Sequence, residues 1–217
     1  LYCSSTQEQA DTHVSNIAAV LESQLFATHH RGVSERLVGK YGNSQGWRRN
    51  RLRTASGFTV DAIGLDTAAR GAKVDEDRPD LLIFDDIDEI LDSPGTVTKK
   101  ITTLTKSLLP ARASHAAVLV AQNLITADGI VAQLADRRAD FLIGATISGP
   151  HPAILDLTVE QREGRHVITG GTPTWPAKTL DDLQAEMDDI GYSAFMTEKQ
   201  HDVDLVEGSI FEHVTFQ

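Results

Sequence analysis

Asp85 and Asp86 close an apolar run, Leu81, Leu82, Ile83 and Phe84, and Asp88 and Glu89 follow at once. A short unbroken apolar run suits a strand buried on both faces, as in a parallel sheet. Carboxylates at the C-terminal end of such a strand stand where open α/β sheets bind their ligands. One of them can hold Mg²⁺ directly or through water, while a neighbour polarises an attacking water. A surface acidic turn after a core strand accounts for the same letters.

Other residues could join this chemistry. Ala116 to Ala121 is a second apolar run, and Gln122, Asn123 and then Thr126 follow it. A polar side chain at the tip of that strand can report a γ-phosphate through one hydrogen bond, or simply open a turn. Arg70 lies between Ala69 and Gly71. A guanidinium on a Gly-flanked loop can neutralise charge developing in phosphoryl transfer, in cis or across a subunit boundary. A solvated loop arginine is the plain alternative. Arg48, Arg49, Arg51 and Arg53 are the densest basic cluster, and alternate members of a strand share a face. They suit a phosphate backbone, an acidic neighbouring subunit or solvent. His29 and His30 lack a spaced set of metal ligands and read as surface. Cys3, on an apolar strand, reads as core.

A phosphate cradle is missing from this set. A P-loop needs Gly-x-x-x-x-Gly-Lys-Ser/Thr. Gly39-Lys40 is followed by Tyr41, Gly32 is out of register, and no core strand precedes them. The chain thus carries the water and metal side of a hydrolase site without the cradle.

The elements that must position these groups alternate. Tyr2 to Ser5 reads as a short strand. Thr6, with Gln9 three residues on, reads as a capping box opening a helix with Ala10, Val14, Ile17 and Leu21 on one stripe as far as Leu25. Residues 32–46 read as a short helix and loop. Arg51 to Ser56 and Phe58 to Ile63 flank Gly57 as a hairpin. After the acidic strand, Pro94 and Gly95 precede a helix with Val97, Ile101, Leu104 and Leu108 on one face. A helix from about Asp128 to Ala135 follows the second apolar strand. Ile154 to Glu160 and His166 to Thr169 form a second hairpin around Gly164. Leu180, Leu183, Met187 and Ile190 mark a helix that stops at Gly191. Strands alternating with helices predict a mainly parallel α/β sheet flanked by helices, with β-hairpin additions.

With 217 residues, of which 41% are hydrophobic, the chain has enough apolar material for a sizeable core. A formal charge of −11 opposes non-specific adhesion to nucleic acid or anionic membrane, so a DNA partner would need a local basic patch or another domain. Cys3 is the only cysteine, which excludes an internal disulfide. No apolar run approaches the ~20 residues of a membrane span. The first residues do not read as a signal peptide, and a start at Leu1 leads us to expect a fragment.

In order and spacing, these signals resemble the ATPase domain of the tailed-phage terminase large subunit. Leu1 to Val14 looks like the strand and helix after that family's Walker A helix, and Thr54 to Gly64 like its hairpin. Ala69-Arg70-Gly71 followed by Arg78-Pro79-Asp80 and Leu81 to Asp88 looks like its Arg-Gly element and Walker B strand. Val118 to Asn123 sits where its coupling motif sits. Thr174-Trp175-Pro176-Ala177, the helix from Leu180 to Gly191, Phe195 to Gln200 and Gly208 to Phe211 resemble its edge before the nuclease domain.

The resemblance implies a P-loop NTPase-like fold forming one ATPase-core domain over 1–217, with Walker A before residue 1 and a nuclease after residue 217. It implies ATP and Mg²⁺ as cofactors. Asp85 would hold Mg²⁺, and Gln122 would lie in the nucleotide site. Asp86 stands where many members carry a catalytic Glu and would activate water, a role that Asp88 or Glu89 could share. Arg70 would be an arginine finger, and Asn123 would couple hydrolysis to movement. The implied partners are double-stranded DNA, a portal protein, a small terminase subunit and copies of the chain in a ring on the procapsid, in the host cytoplasm and not at a membrane. A helicase-like or other P-loop motor ATPase is the alternative enzyme. A non-catalytic prophage remnant is the alternative outside enzymes.

Overall fold

Tyr2, Cys3 and Ser4 are all buried and form the short central strand β1 (Tyr2–Ser4) of a five-stranded sheet. The computed structural model describes residues 1–67 and 78–203. The chain divides into two units, Leu1–Ile87 with Asp92–Gln122, and Asp88–Leu91 with the residues from Asn123 onward.

In the first unit, α1 (Gln7–Leu21), α2 (Gln24–His29) and α3 (Arg31–Ser34) follow β1. The next elements are β2 (Arg51–Arg53), β3 (Thr59–Gly64) and β4 (Leu81–Asp85). Then come α4 (Pro94–Thr103), a π-helical stretch Leu104–Leu108, α5 (Leu109–Ala111) and β5 (Ala117–Ala121). The sheet order is β2-β3-β1-β4-β5. β1 runs parallel to β3 and β4, β4 runs parallel to β5, and β2 is antiparallel to β3. Gly57, at φ +87, turns the chain between β2 and β3. The architecture is a mostly parallel α/β sheet flanked by helices, as the strand–helix alternation predicts. Many functions share it.

The capping box reads directly off the sequence. Thr6 Oγ1 accepts from the Gln9 amide, and Gln9 Oε1 accepts from the Thr6 amide. α1 is shorter than the expected helix to Leu25. It stops at Leu21, and Ser23 caps α2 afresh by accepting from the Phe26 amide. A serine that can take a backbone amide competes with helix continuation. Ala10, Val14 and Leu21 of α1 are buried with Tyr2, Leu52 and Ala62, and Ile83 packs against this cluster. On the other face, Cys3, Leu82 and Phe84 are fully buried.

The second unit holds α6 (Ile130–Ala135), the antiparallel pair β6 (Ile154–Arg162) and β7 (Arg165–Pro173), α7 (Leu180–Ile190) and α8 (Tyr192–Gln200). Glu163 and Gly164, both at positive φ, form the hairpin turn. Ile154, Leu183, Met187 and Phe195 make its core. Gly171, at φ +130, lets β7 approach β6; a Cβ there would lie 2.3 Å from Ile154 Cγ2.

Candidate functional site

From β1 the chain turns toward β3, whereas from β4 it turns toward β5. β1 and β4 are neighbours, so the sheet reverses its winding between them. Open α/β sheets bind ligands in the crevice outside the carboxyl ends of the strands at such a reversal. Here those ends carry Ser4 and Ser5 on one strand and Asp85 and Asp86 on the other.

Asp85 is the last residue of β4 and half-buried. Its Oδ2 accepts a hydrogen bond from the Tyr2 hydroxyl. Tyr2 lies opposite Ile83 in the β1–β4 pair, on the face that Ile83 shares with Asp85 by strand alternation. Burial first, then the hydrogen bond to Asp85 and its charge, push the Tyr2 hydroxyl well above the usual phenol range. Tyr2 therefore remains a donor.

Asp86 is exposed and sits at φ +47. A non-glycine residue in this left-handed region costs roughly 1–3 kcal/mol and persists only where its surroundings enforce it. Those surroundings are explicit. The Asp86 amide donates to Ala121 O (3.3 Å), and Asp86 O accepts from the Ser5 amide (3.1 Å) and from Ser4 Oγ (3.4 Å). The Ile87 amide donates to Gln122 Oε1 (2.7 Å). Gln122, expected in the nucleotide site, thus braces the acidic turn with its amide oxygen.

Lys100 also reaches this turn, and the sequence reading missed it. It is 4% exposed on α4. Its ammonium donates to Ser5 Oγ (2.7 Å), Ile87 O (3.0 Å) and Asp92 Oδ2 (2.5 Å). The available signal was its position. Lys100 stands in the apolar stripe Val97, Leu104, Leu108, where a surface lysine does not belong.

Asp88, a candidate to share the role of base, is taken up elsewhere. It belongs to the second unit and is buried. Its Oδ1 and Oδ2 accept the Ile130 and Val131 amides, each at 2.8 Å, at the start of α6. Gly129 leaves room for this carboxylate, since a Cβ there would lie 2.7 Å from Asp88 Oδ2. Asn123 is also in the second unit and exposed, with Nδ2 donating to Glu198 O at 3.4 Å. Arg70, and Gly208 to Phe211 of the expected C-terminal edge, lie outside the described residues.

Two amides at the start of α1 are already taken, by Asp66 Oδ1 (Gln7 N, 3.0 Å) and Thr6 Oγ1 (Gln9 N, 3.3 Å). Gly39-Lys40 lies in a tight turn, with Gly39 N donating to Asn43 O, and not at a strand–helix junction. In the basic cluster, Arg51 pairs with Asp61 and Arg49 reaches Thr12 Oγ1, while Arg48 and Arg49 are exposed. His29 and His30 are exposed, and Cys3 is buried.

Among the described residues, the face that carries Asp85 is covered by the α1 cluster at Ile83 but is exposed at Leu81 and Leu119. Leu81, Ile83 and Asp85 of β4 pair in register with Ala117, Leu119 and Ala121 of β5 and share their face. Leu81 is 42% exposed and Leu119 53%. Among the described residues no strand pairs with the outer side of β5. Parallel sheets are ordinarily covered on both faces. No group of three or more His, Cys, Asp or Glu residues among the described ones is placed to hold a metal.

No family model, no curated protein and no solved structure matches the chain.

Proposed function

We propose that residues 1–217 form the acidic half of an ATP-hydrolysing motor core of the type found in the large terminase subunit. One observation carries the reading: two adjacent carboxylates, Asp85 and Asp86, end a central parallel strand at the winding reversal, the second held in a left-handed backbone. Backbone strain of this kind clusters at functional sites.

The donor set fits Mg²⁺. That ion takes oxygen ligands, usually one or two carboxylates together with water and substrate phosphates. Asp85 would hold it through the oxygen that Tyr2 does not engage. When bound, the ion would neutralise charge on the phosphates. Asp86, exposed at the turn, would orient and deprotonate the attacking water. Arg70 and Asn123 keep the roles of arginine finger and coupling residue in this reading. Double-stranded DNA, a portal protein, a small terminase subunit and further copies of the chain would be the partners.

The reading requires a Gly-Lys-Ser/Thr cradle that residues 1–217 do not contain. Among the described residues, the exposure of Leu81 and Leu119 and the lack of a strand beside β5 support a place for it. A strand beside β5 followed by a helix across that face would cover both and bring a loop to the ends of β4 and β5.

Turnover of Mg-ATP tests the reading. The 217-residue chain alone should hydrolyse ATP poorly or not at all, because positioning supplies most of phosphoryl-transfer catalysis. The complete gene product should hydrolyse it. Robust turnover by the chain alone, lost in Asp85→Asn, would show that the phosphate site is misplaced. No turnover by the complete product would favour a non-catalytic role.

A further inference from the structure

We propose that Lys100 is a positioning residue that sets the backbone conformation of the Asp85–Asp86 turn. The importance of the turn rests on the reading above; the conformational claim does not need it.

The ammonium is at the base of the turn. Its three N–H groups meet three acceptors from three segments: Ser5 Oγ after β1, Ile87 O after the acidic pair, and Asp92 Oδ2 before α4. Ile87 O is the carbonyl of the residue that directly follows Asp86. The Ile87 amide is held by Gln122, and the Asp86 amide and carbonyl by Ala121 and Ser5. Both peptide groups after Asp86 are therefore held, and all of these bonds are made with Asp86 at φ +47. Lys100 supplies the only one of these anchors that carries a charge, and it makes the other end fast to β1 through Ser5.

Packing alone does not explain a lysine here. Val97, Leu104 and Leu108 already give α4 and the stretch after it a buried stripe. Lys100 and Asp92 form a buried ion pair, and replacing such a pair by well-packed apolar residues is often neutral or stabilising. What an apolar side chain cannot do is hold a hydroxyl, a carbonyl and a carboxylate in one arrangement.

The test compares Lys100→Met/Asp92→Asn with the native 217-residue chain. The double change removes both members of the Lys100–Asp92 ion pair together. The first readout is φ at residue 86, from the amide–Hα coupling and the ¹³Cα shift in NMR spectra. The proposal expects positive φ in the native chain and its loss in the folded variant. Retention of positive φ there would overturn it.

The second readout is the urea midpoint of Asp86→Gly against Asp86→Ala in each background. Glycine adopts positive φ without the Cβ penalty. With Lys100 present, glycine should exceed alanine by roughly tenfold in the folding equilibrium, the size of a left-handed penalty. In the Lys100→Met/Asp92→Asn background that advantage should vanish. A purely structural lysine predicts the same glycine advantage in both backgrounds, and that result, or no advantage with Lys100 present, would refute the proposal. Should the double variant not fold, Lys100→Gln, which keeps a shorter uncharged donor, replaces it with the same two outcomes. No nucleotide enters the experiment, so its failure is separate from failure of the ATPase reading.

Discussion

Tyr2, on β1, donates its hydroxyl to the carboxylate of Asp85 at the end of the neighbouring strand β4. The first strand of the chain thereby fixes one oxygen of the acid pair. Tyr2→Phe removes that bond and keeps the ring packed against the α1 cluster. It should lower stability by about 1.5 kcal/mol, the low end of the range for a bond to a charged acceptor, because Asp85 is only half-buried. A urea titration measures this. An unchanged midpoint would mean that water replaces the hydroxyl without loss.

Stability should fall on the alkaline side, and Cys3 should be one cause. Burial pushes its thiol from 9.0 up to about 12. Between those values the folded chain keeps a proton that the unfolded chain has released, so rising pH favours unfolding. The raised Tyr2 hydroxyl acts in the same direction from about pH 10 upward. Cys3→Ala should flatten the decline of the urea midpoint between about pH 9 and 11. An identical slope in the variant would contradict the burial argument.

The start of α6 should depend on Asp88 and on the space at Gly129. Asp88→Ala removes both acceptors from the Ile130 and Val131 amides and should destabilise by about 1–2 kcal/mol, as lost helix caps do. Gly129→Ala should cost about 1–3 kcal/mol by overpacking, with Asp88 Oδ2 at 2.7 Å and Thr126 Oγ1 at 2.5 Å from the added carbon. Denaturation of each variant checks this, and near-native midpoints would mean that the turn relaxes freely.

Leu119→Asp separates an open face from a covered one. In the 217-residue chain Leu119 is 53% exposed. The change there should stay within about 0.5 kcal/mol. In a complete gene product whose added segment covers β4 and β5, the same carboxylate would be buried without a partner and cost about 2 kcal/mol or more. Equal, small effects in both proteins would leave the face uncovered in each.

What the sequence made legible was local. The Thr6–Gln9 box, the apolar runs that became β4 and β5, the hairpin around Gly164 and the stop of α7 at Gly191 each depend on neighbours a few positions apart. Boundaries moved where a side chain competed for the backbone, as Ser23 did in ending the first helix early. Pro94 and Gly95, read as preceding a helix, are its first two residues behind the Ser93 cap. The site was only half visible. Asp85 and Asp86 stood out by type and by the strand before them. Asp88 looked like their equal, yet its partners are the amides of Ile130 and Val131, 42 and 43 positions away. Lys100 meets Ser5 across 95 positions, and Tyr2 meets Asp85 across 83. Such pairings follow from strand order, which periodicity does not encode. The left-handed turn at Asp86 was equally hidden, because an aspartate carries no obligation to adopt it.

The proposed division of labour, with Asp85 holding the metal and Asp86 activating water, is tested by the two asparagine variants. In a protein that supplies the missing cradle as well, Mg-ATP binding and steady-state hydrolysis are measured for Asp85→Asn and Asp86→Asn side by side. Asp85→Asn should weaken Mg-ATP binding, since an amide is a poor ligand for a hard cation. Asp86→Asn should bind Mg-ATP as the native protein does and lose turnover by roughly 10² or more, the contribution of a positioned general base. Native binding together with native hydrolysis in both variants would refute that division of roles.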